Sequence, residues 1–307
     1  MMARGRRALA RTVGGSFVAL ALLSAASKHA HATYSVTLAD RTTGVVAVGV
    51  ASCVPLDVVQ KVAGLARGKG AFVTQSYLYA PAHDEAARGM TLGEAPAVIL
   101  PRLLDPKFDA DAELRQYALV SLAGESAAHT GARTLDFAGH RTYVEEGVVA
   151  TFQGNVLAGE ATLEAMRSAF VTADGAALDR LVAALVAPSK HAPVLGDARC
   201  TARGRSAEAA TLDVLAADPR DDLHVAVEGG ETDEPLRAVS EKYAAYRRAR
   251  AADAAAPLDA SPSPPEGAEL REESTGCTSA AGPKLALPFA MTLLAGILAR
   301  RRRCRSA

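Results

Sequence analysis

Thr33 stands where one backbone cut would turn it into a catalytic unit. A threonine hydroxyl is a poor nucleophile unless a base takes its proton, and at a chain terminus the residue's own α-amine is that base. An ordinary α-amine pKa of about 7.7–8.0 keeps a usable neutral fraction near pH 7. Ala30-His31-Ala32 precedes Thr33, and small residues at −3 and −1 fit a leader-peptidase cut after Ala32. Ser24-Ala25-Ala26 is a competing site. A cut there starts the chain at Ser27 and leaves Thr33 without its amine.

Other side chains qualify as helpers. Asn155, in Gln153-Gly154-Asn155 after a predicted strand, could donate to an oxyanion; it could equally cap a turn before the helix that opens at Glu160. Ser52, Gln75, His140 and Gln153 are candidates for holding substrate or tuning the amine, or else for satisfying buried backbone groups. Gly131, Gly139, Gly154 and Gly159 read as tight-turn positions. The chain lacks GxGxxG, Walker, GxSxG and HExxH patterns, so no nucleotide, serine-elbow or zinc chemistry is expected. His83, His129, His140, His191 and His224 show no ligand spacing, and neither metal nor cofactor is expected. Cys53 and Cys200 could pair in an oxidising compartment, although the sequence does not show that they are close.

These residues need positioning elements. Tyr34–Ala39 and Val45–Ala51 flank the turn Asp40-Arg41-Thr42-Thr43-Gly44, and their near-continuous apolar runs predict a hairpin buried on both faces, central in its sheet. Further strands are predicted over 71–76, 116–122, 126–130, 148–153, 207–215 and 222–228. Helices are predicted over 82–90, 91–104 (opened by a Thr91–Glu94 capping box), 160–173, 176–187 and 234–250. Strands and helices do not alternate regularly. An α+β fold, an αββα sandwich of two sheets with helices outside, accommodates the order best, in a single domain over 33–250.

The two ends read as addresses. Residues 1–32 have a basic start, an apolar core and a small-residue cut site, the order of a signal peptide. Residues 251–275 are rich in Pro, Ala, Ser and Glu and read as a tether. Residues 276–307 hold Gly276-Cys277, an apolar span over 285–299 and Arg300 to Arg303. This order resembles the MYXO-CTERM type of sorting tail, which implies export and membrane attachment through the tail, with release after processing; a simple tail anchor is the alternative. Residues 33–250 carry 22 basic and 28 acidic side chains. That excess of six negative charges argues against a nucleic-acid partner.

The body's blocks T-Y-S-V-T-L-A-D, G-V-V-A-V-G-V-A-S, F-V-T-Q-S, H-T-G-A with A-G-H-R-T, Q-G-N-V-L-A-G, and G-D-A-R with G-R-S-A resemble an uncharacterised bacterial domain-of-unknown-function family of the N-terminal-nucleophile (Ntn) hydrolase superfamily. The resemblance covers about 33–250. It implies an αββα sandwich and an exported hydrolase acting on an amide or peptide bond through Thr33, with an amide-containing small molecule or peptide as its partner, the cell envelope being one source. A non-catalytic cell-surface binding module on the same scaffold is the alternative. The N-terminus of the mature protein separates the two, since only a start at Thr33 creates the amine.

Overall fold

The computed structural model describes residues 33–145, 147–230 and 233–255, all within one compact unit, Met1–Ala256. The expected signal segment, most of the tether and the sorting tail lie outside the described residues.

The chain opens with the hairpin β1 (Thr33–Asp40) and β2 (Val45–Ser52). Its turn is set by Asp40, whose Oδ1 accepts from Thr42 N at 2.9 Å, and by Gly44 at φ 73°. Then follow α1 (Leu56–Val59), β3 (Ala63–Ala66), β4 (Gly70–Ser76), α2 (Ala80–Leu92), α3 (Pro96–Leu103), β5 (Arg115–Ser121) and β6 (Ser126–Thr130). The second half runs β7 (Phe137–Glu145), β8 (Val148–Leu157), α4 (Glu160–Thr172), α5 (Ala177–Val186), α6 (Ala198–Thr201), β9 (Ala209–Leu215), β10 (Leu223–Glu228) and α7 (Pro235–Ala255).

Two antiparallel sheets result, one ordered β10-β9-β2-β1-β8-β7 and one ordered β3-β4-β5-β6. β1 and β2 lie at the centre of the larger sheet, as their apolar runs require. Side-chain alternation sorts each strand between two cores. Tyr34, Val36 and Leu38 of β1, with Phe152 of β8, pack on Leu163, Met166, Phe170, Leu181, Leu185 and Val239 from α4, α5 and α7. Val46, Val48 and Val50 of β2 face Val73, Ala118 and Val120 of the smaller sheet. Phe72, Tyr117 and Leu119 on that sheet's far side meet Met90, Ile99 and Leu103 of α2 and α3. The layers are therefore helices, sheet, sheet, helices. Thr33, Ser35 and Thr37 take the inter-sheet side of β1, and all are buried.

Several elements differ from the sequence expectation. Thr91 and Glu94 do not cap a helix start. Gly93, at φ 76°, ends α2 in the left-handed conformation that suits glycine. α3 starts afresh at Pro96, a residue suited to a first helical position. β3 was not expected because Gly64 carries no apolar side chain; a Cβ there would stand 2.0 Å from the Phe72 ring. β7 was not expected because this edge strand mixes polar and apolar residues and is only partly buried. α7 runs to Ala255 rather than Arg250, as the helix-forming Ala-Ala-Asp-Ala-Ala run favours. Among the described residues no helix is long and apolar enough to cross a membrane; the 285–299 span lies outside them.

Phe170 is fully buried and meets Phe152 edge-on at 5.3 Å. Phe170→Ala should cost about 3–5 kcal/mol in denaturant unfolding. Val144→Ala, at a side chain 58% exposed, should cost less than about 0.5 kcal/mol.

Candidate functional site

Strand register brings the site together. Thr33 pairs with Ser52 on β2 and with Asn155 on β8, so three neighbouring strands present the three side chains in one buried row between the sheets. The Thr33 and Ser52 hydroxyl oxygens lie 3.1 Å apart. From the opposite sheet, Gln75 Nε2 donates to Gln116 Oε1 at 2.8 Å and approaches the Thr33 carbonyl at 3.4 Å. Ser35 Oγ donates to Gln75 Oε1 at 2.6 Å, and Gln153 Nε2 donates to Ser35 Oγ at 2.6 Å.

Gln116 is the hub. Its Nε2 lies 3.0 Å from the Gly139 carbonyl, 2.9 Å from the Gly154 carbonyl and 2.9 Å from Thr130 Oγ1. Carbonyls only accept, so this end must be the nitrogen and Oε1 must be the other. Oε1 then accepts from Asn155 Nδ2 at 3.2 Å, which fixes the Asn155 amide in turn. One Asn155 N–H remains beyond that bond, and Asn155 Oδ1 is buried without a hydrogen-bond partner among the described residues. The turn-cap reading of Asn155 is overturned: the residue sits inside β8, and α4 has no side-chain cap. Gly139 and Gly154 are not turn positions either. They pair with each other across β7 and β8, and a Cβ on Gly154 would crowd Leu157 at 2.7 Å.

Strain marks the same end of the sandwich. Val156, directly after Asn155, has φ 51°, and Ser76, directly after Gln75, has φ 75°. A non-glycine residue there costs about 1–3 kcal/mol and persists where surroundings enforce it, commonly at functional sites.

A disulfide closes the row's edge. Cys53, the residue after Ser52, is bonded to Cys200, 147 positions away in the sequence. The Cys53 amide donates to Asp197 Oδ2 at 2.7 Å. Asp197 also caps α6 by accepting from Arg199 N at 2.9 Å. Burial pushes the Asp197 carboxyl above its ordinary value, and the Arg199 contacts oppose the shift. Cys53, Cys200 and Glu208 bring potential ligand atoms within 4.8 Å of one another, but the disulfide consumes both sulfurs, so this group does not form a metal site while the bond stands.

Of the sequence candidates, Ser52 and Asn155 flank Thr33 and Gln75 reaches it from the facing sheet. Gln153 stands one step away, on Ser35. His140 lies at the far end of a relay, with Nδ1 2.9 Å from Thr130 Oγ1. Gln116, Ser35, Thr130, Asp197 and Arg199 were not anticipated. The available signal was polar residues at inward-facing positions of apolar strands, as at Ser35 and Gln116.

Residues 33–238 match the model of a family described as "Family of unknown function (DUF1028)", and the chain belongs to that family. It is similar in fold to the crystal structure of protein SPO2555 from Silicibacter pomeroyi, of the DUF1028 family model. The TM-score is 0.58 at 24% identity, covering 73% of this chain and 93% of that one. No curated protein matches.

Two predictions rest on the network. Gln116→Leu should cost about 3 kcal/mol or more in denaturant unfolding, because the buried Asn155 and Gln75 donors and the Gly139 and Gly154 carbonyls lose their partner, at about 1–3 kcal/mol per orphaned group. Burial, followed by the nearby His129 and Arg141, pushes the His140 pKa below its ordinary value. The unfolded chain therefore takes up this proton first, and stability should fall as pH drops below about 6.5. His140→Gln should flatten that part of the stability–pH curve.

Proposed function

We propose that the chain is exported, cut after Ala32, and hydrolyses an amide or peptide bond through Thr33 as an N-terminal-nucleophile hydrolase. The observation that carries this reading is the placement of Thr33: first residue of the central strand, with Ser52 and Asn155 beside it in a buried polar row. The family match also opens at residue 33. The order of layers agrees with what the Ntn resemblance implies, and the Cys53–Cys200 disulfide agrees with an oxidising compartment. Attachment through the 276–307 tail, before any processing, belongs to the same reading.

The chemistry follows from the groups present. Thr33 Oγ attacks the substrate carbonyl carbon while its proton passes to the neutral Thr33 α-amine. The oxyanion that forms accepts the remaining Asn155 N–H, which Gln116 has already oriented. The ammonium then gives its proton to the leaving nitrogen, the C–N bond breaks, and an ester on Thr33 remains. Water attacks that ester with the amine again as base, releasing the acid and restoring the hydroxyl. Ser52, within hydrogen-bond reach of Thr33 Oγ1, holds the nucleophile's rotamer.

N-terminal sequencing of the mature protein should read Thr-Tyr-Ser-Val. A start at Ser27 would favour the non-catalytic binding module. Thr33→Ala should still fold, with melting lowered by no more than the loss of one buried hydrogen bond, yet lose turnover, and Thr33→Ser should retain part of it, since hydroxyl and amine survive. Asn155→Ala should lower kcat by about 10²–10³. A Thr33→Ala protein as active as the wild type would refute the reading.

A further inference from the structure

A cavity of about 230 Å³ lies where β4 gives way to α2, outside the Thr33 row. Its floor is the buried Thr74, its walls include the half-buried Leu78, Tyr79 and His83, and its rim carries the exposed Lys61 and Asp84. Thr74 shares the helix-facing side of β4 with Phe72, whose ring lies 5.1 Å from that of His83, while Gln75 takes the inter-sheet side. The cavity therefore backs onto the strand that serves the Thr33 row, from the opposite face of the smaller sheet. A space of about 150 Å³ already takes a benzene ring, so this one admits a small organic molecule.

The lining groups define what that molecule must carry. Tyr79 spends its hydroxyl on the Phe108 carbonyl at 3.3 Å, so it offers its ring, and with Leu78 it makes an apolar wall. His83 supplies one donor. The buried Thr74 hydroxyl has one partner among the described residues, His83 Nδ1 at 3.0 Å, so the hydroxyl donates there. Burial lowers the His83 pKa, against the pull of Asp84. The ring is then neutral at pH 7 with its hydrogen on Nε2, the nitrogen that no described residue engages. Two opposite charges meet at the rim. Lys61 is held by Asp57 at 3.1 Å, with both side chains mostly exposed, and such a surface pair is readily exchanged. Asp84 makes no hydrogen bond or ion pair among the described residues. An anion alone would be drawn to Lys61 and repelled by Asp84, and a cation alone the reverse. A ligand with both charges satisfies both.

We propose that this cavity binds a free α-amino acid with an apolar side chain. The side chain lies against Leu78 and Tyr79, the carboxylate takes Lys61 and the His83 Nε2–H, and the ammonium takes Asp84. The assignment goes beyond the Thr33 reading and does not depend on it.

The test is calorimetric, on mature Thr33→Ala protein produced from the full chain so that no amide probe is consumed. The probes are alanine, valine, leucine, methionine and phenylalanine, each beside its N-acetyl derivative, which lacks the ammonium, and its amide, which lacks the carboxylate. At least one free amino acid should bind, with its two derivatives each about tenfold or more weaker, the scale of one lost charged contact. Both preferences should shrink as salt rises. Asp84→Asn should erase the advantage over the N-acetyl derivative and keep that over the amide; Lys61→Gln should do the reverse. Both side chains are exposed, so neither change should disturb folding. His83→Phe, which removes the donor and fills the space, should weaken the whole panel; should it fail to fold, the two rim variants carry the test. The free amino acids should bind the unaltered Thr33 protein with the same affinity, and a difference would place them in the Thr33 row and overturn the assignment. No binding of any free amino acid, equal binding of all three forms, or preferences that survive both rim variants would overturn it as well.

Discussion

Gln116 has one side-chain oxygen and two side-chain hydrogens, and the space between the sheets engages all of them. Two backbone carbonyls and Thr130 take the nitrogen end; Gln75 and Asn155 take the oxygen. The rest of the site depends on this asymmetry. An amide held only by groups that both donate and accept could flip, and the amides attached to it would follow. Carbonyls cannot, so the orientation passes from the backbone of β7 and β8 through Gln116 to Asn155. The network is affordable because nearly every member is satisfied; an incomplete buried network would be worse than an apolar layer. The gaps left among the described residues, Asn155 Oδ1 and Gln153 Oε1, lie at the end of the sandwich where Thr33 starts.

The same inter-sheet layer is aliphatic elsewhere. Val46, Val48, Val50, Val73, Ala118 and Val120 close it, so the sheets are held by ordinary apolar packing while the polar end is left to hold a geometry. The strain at Val156 and Ser76 fits that division, since the packed layers supply the stability that the left-handed residues cost. The disulfide adds a covalent limit at the edge, tying the loop after β2 to α6 beside the buried Asp197. Fold alone does not confer hydrolysis; the functional reading comes from what this end of the sandwich presents.

Much of this was legible in the sequence and some was not, for physical reasons. The central hairpin was legible because the near-continuous apolar runs over Tyr34–Ala39 and Val45–Ala51 suit strands covered on both faces. The position of Thr33 at the start of the central strand was legible because the strand it opens follows it directly in the chain. Asn155 was legible as a polar residue beside a predicted strand, but its role was open until register placed it opposite Thr33. Gln116 was legible only as a polar residue on an apolar strand; its role as the hub comes from pairing across two sheets, which the sequence does not show. The Cys53–Cys200 bond and the Asp197–Cys53 contact join positions far apart in the chain, which spacing cannot reveal. β7 was missed because an edge strand needs no clean alternation, and Gly139 and Gly154 because close strand packing and tight turns both call for glycine.

The most direct measurement is intact-mass analysis, with fragment mapping, of mature protein after a slowly released acylating amide mimic. A Thr33 nucleophile predicts one acyl group per chain, located on the N-terminal threonine side chain, sensitive to hydroxylamine as an ester, and absent from Thr33→Ala. Turnover of a substrate by protein that begins elsewhere, or an acyl group mapped to another residue while Thr33 stays unmodified, would contradict it.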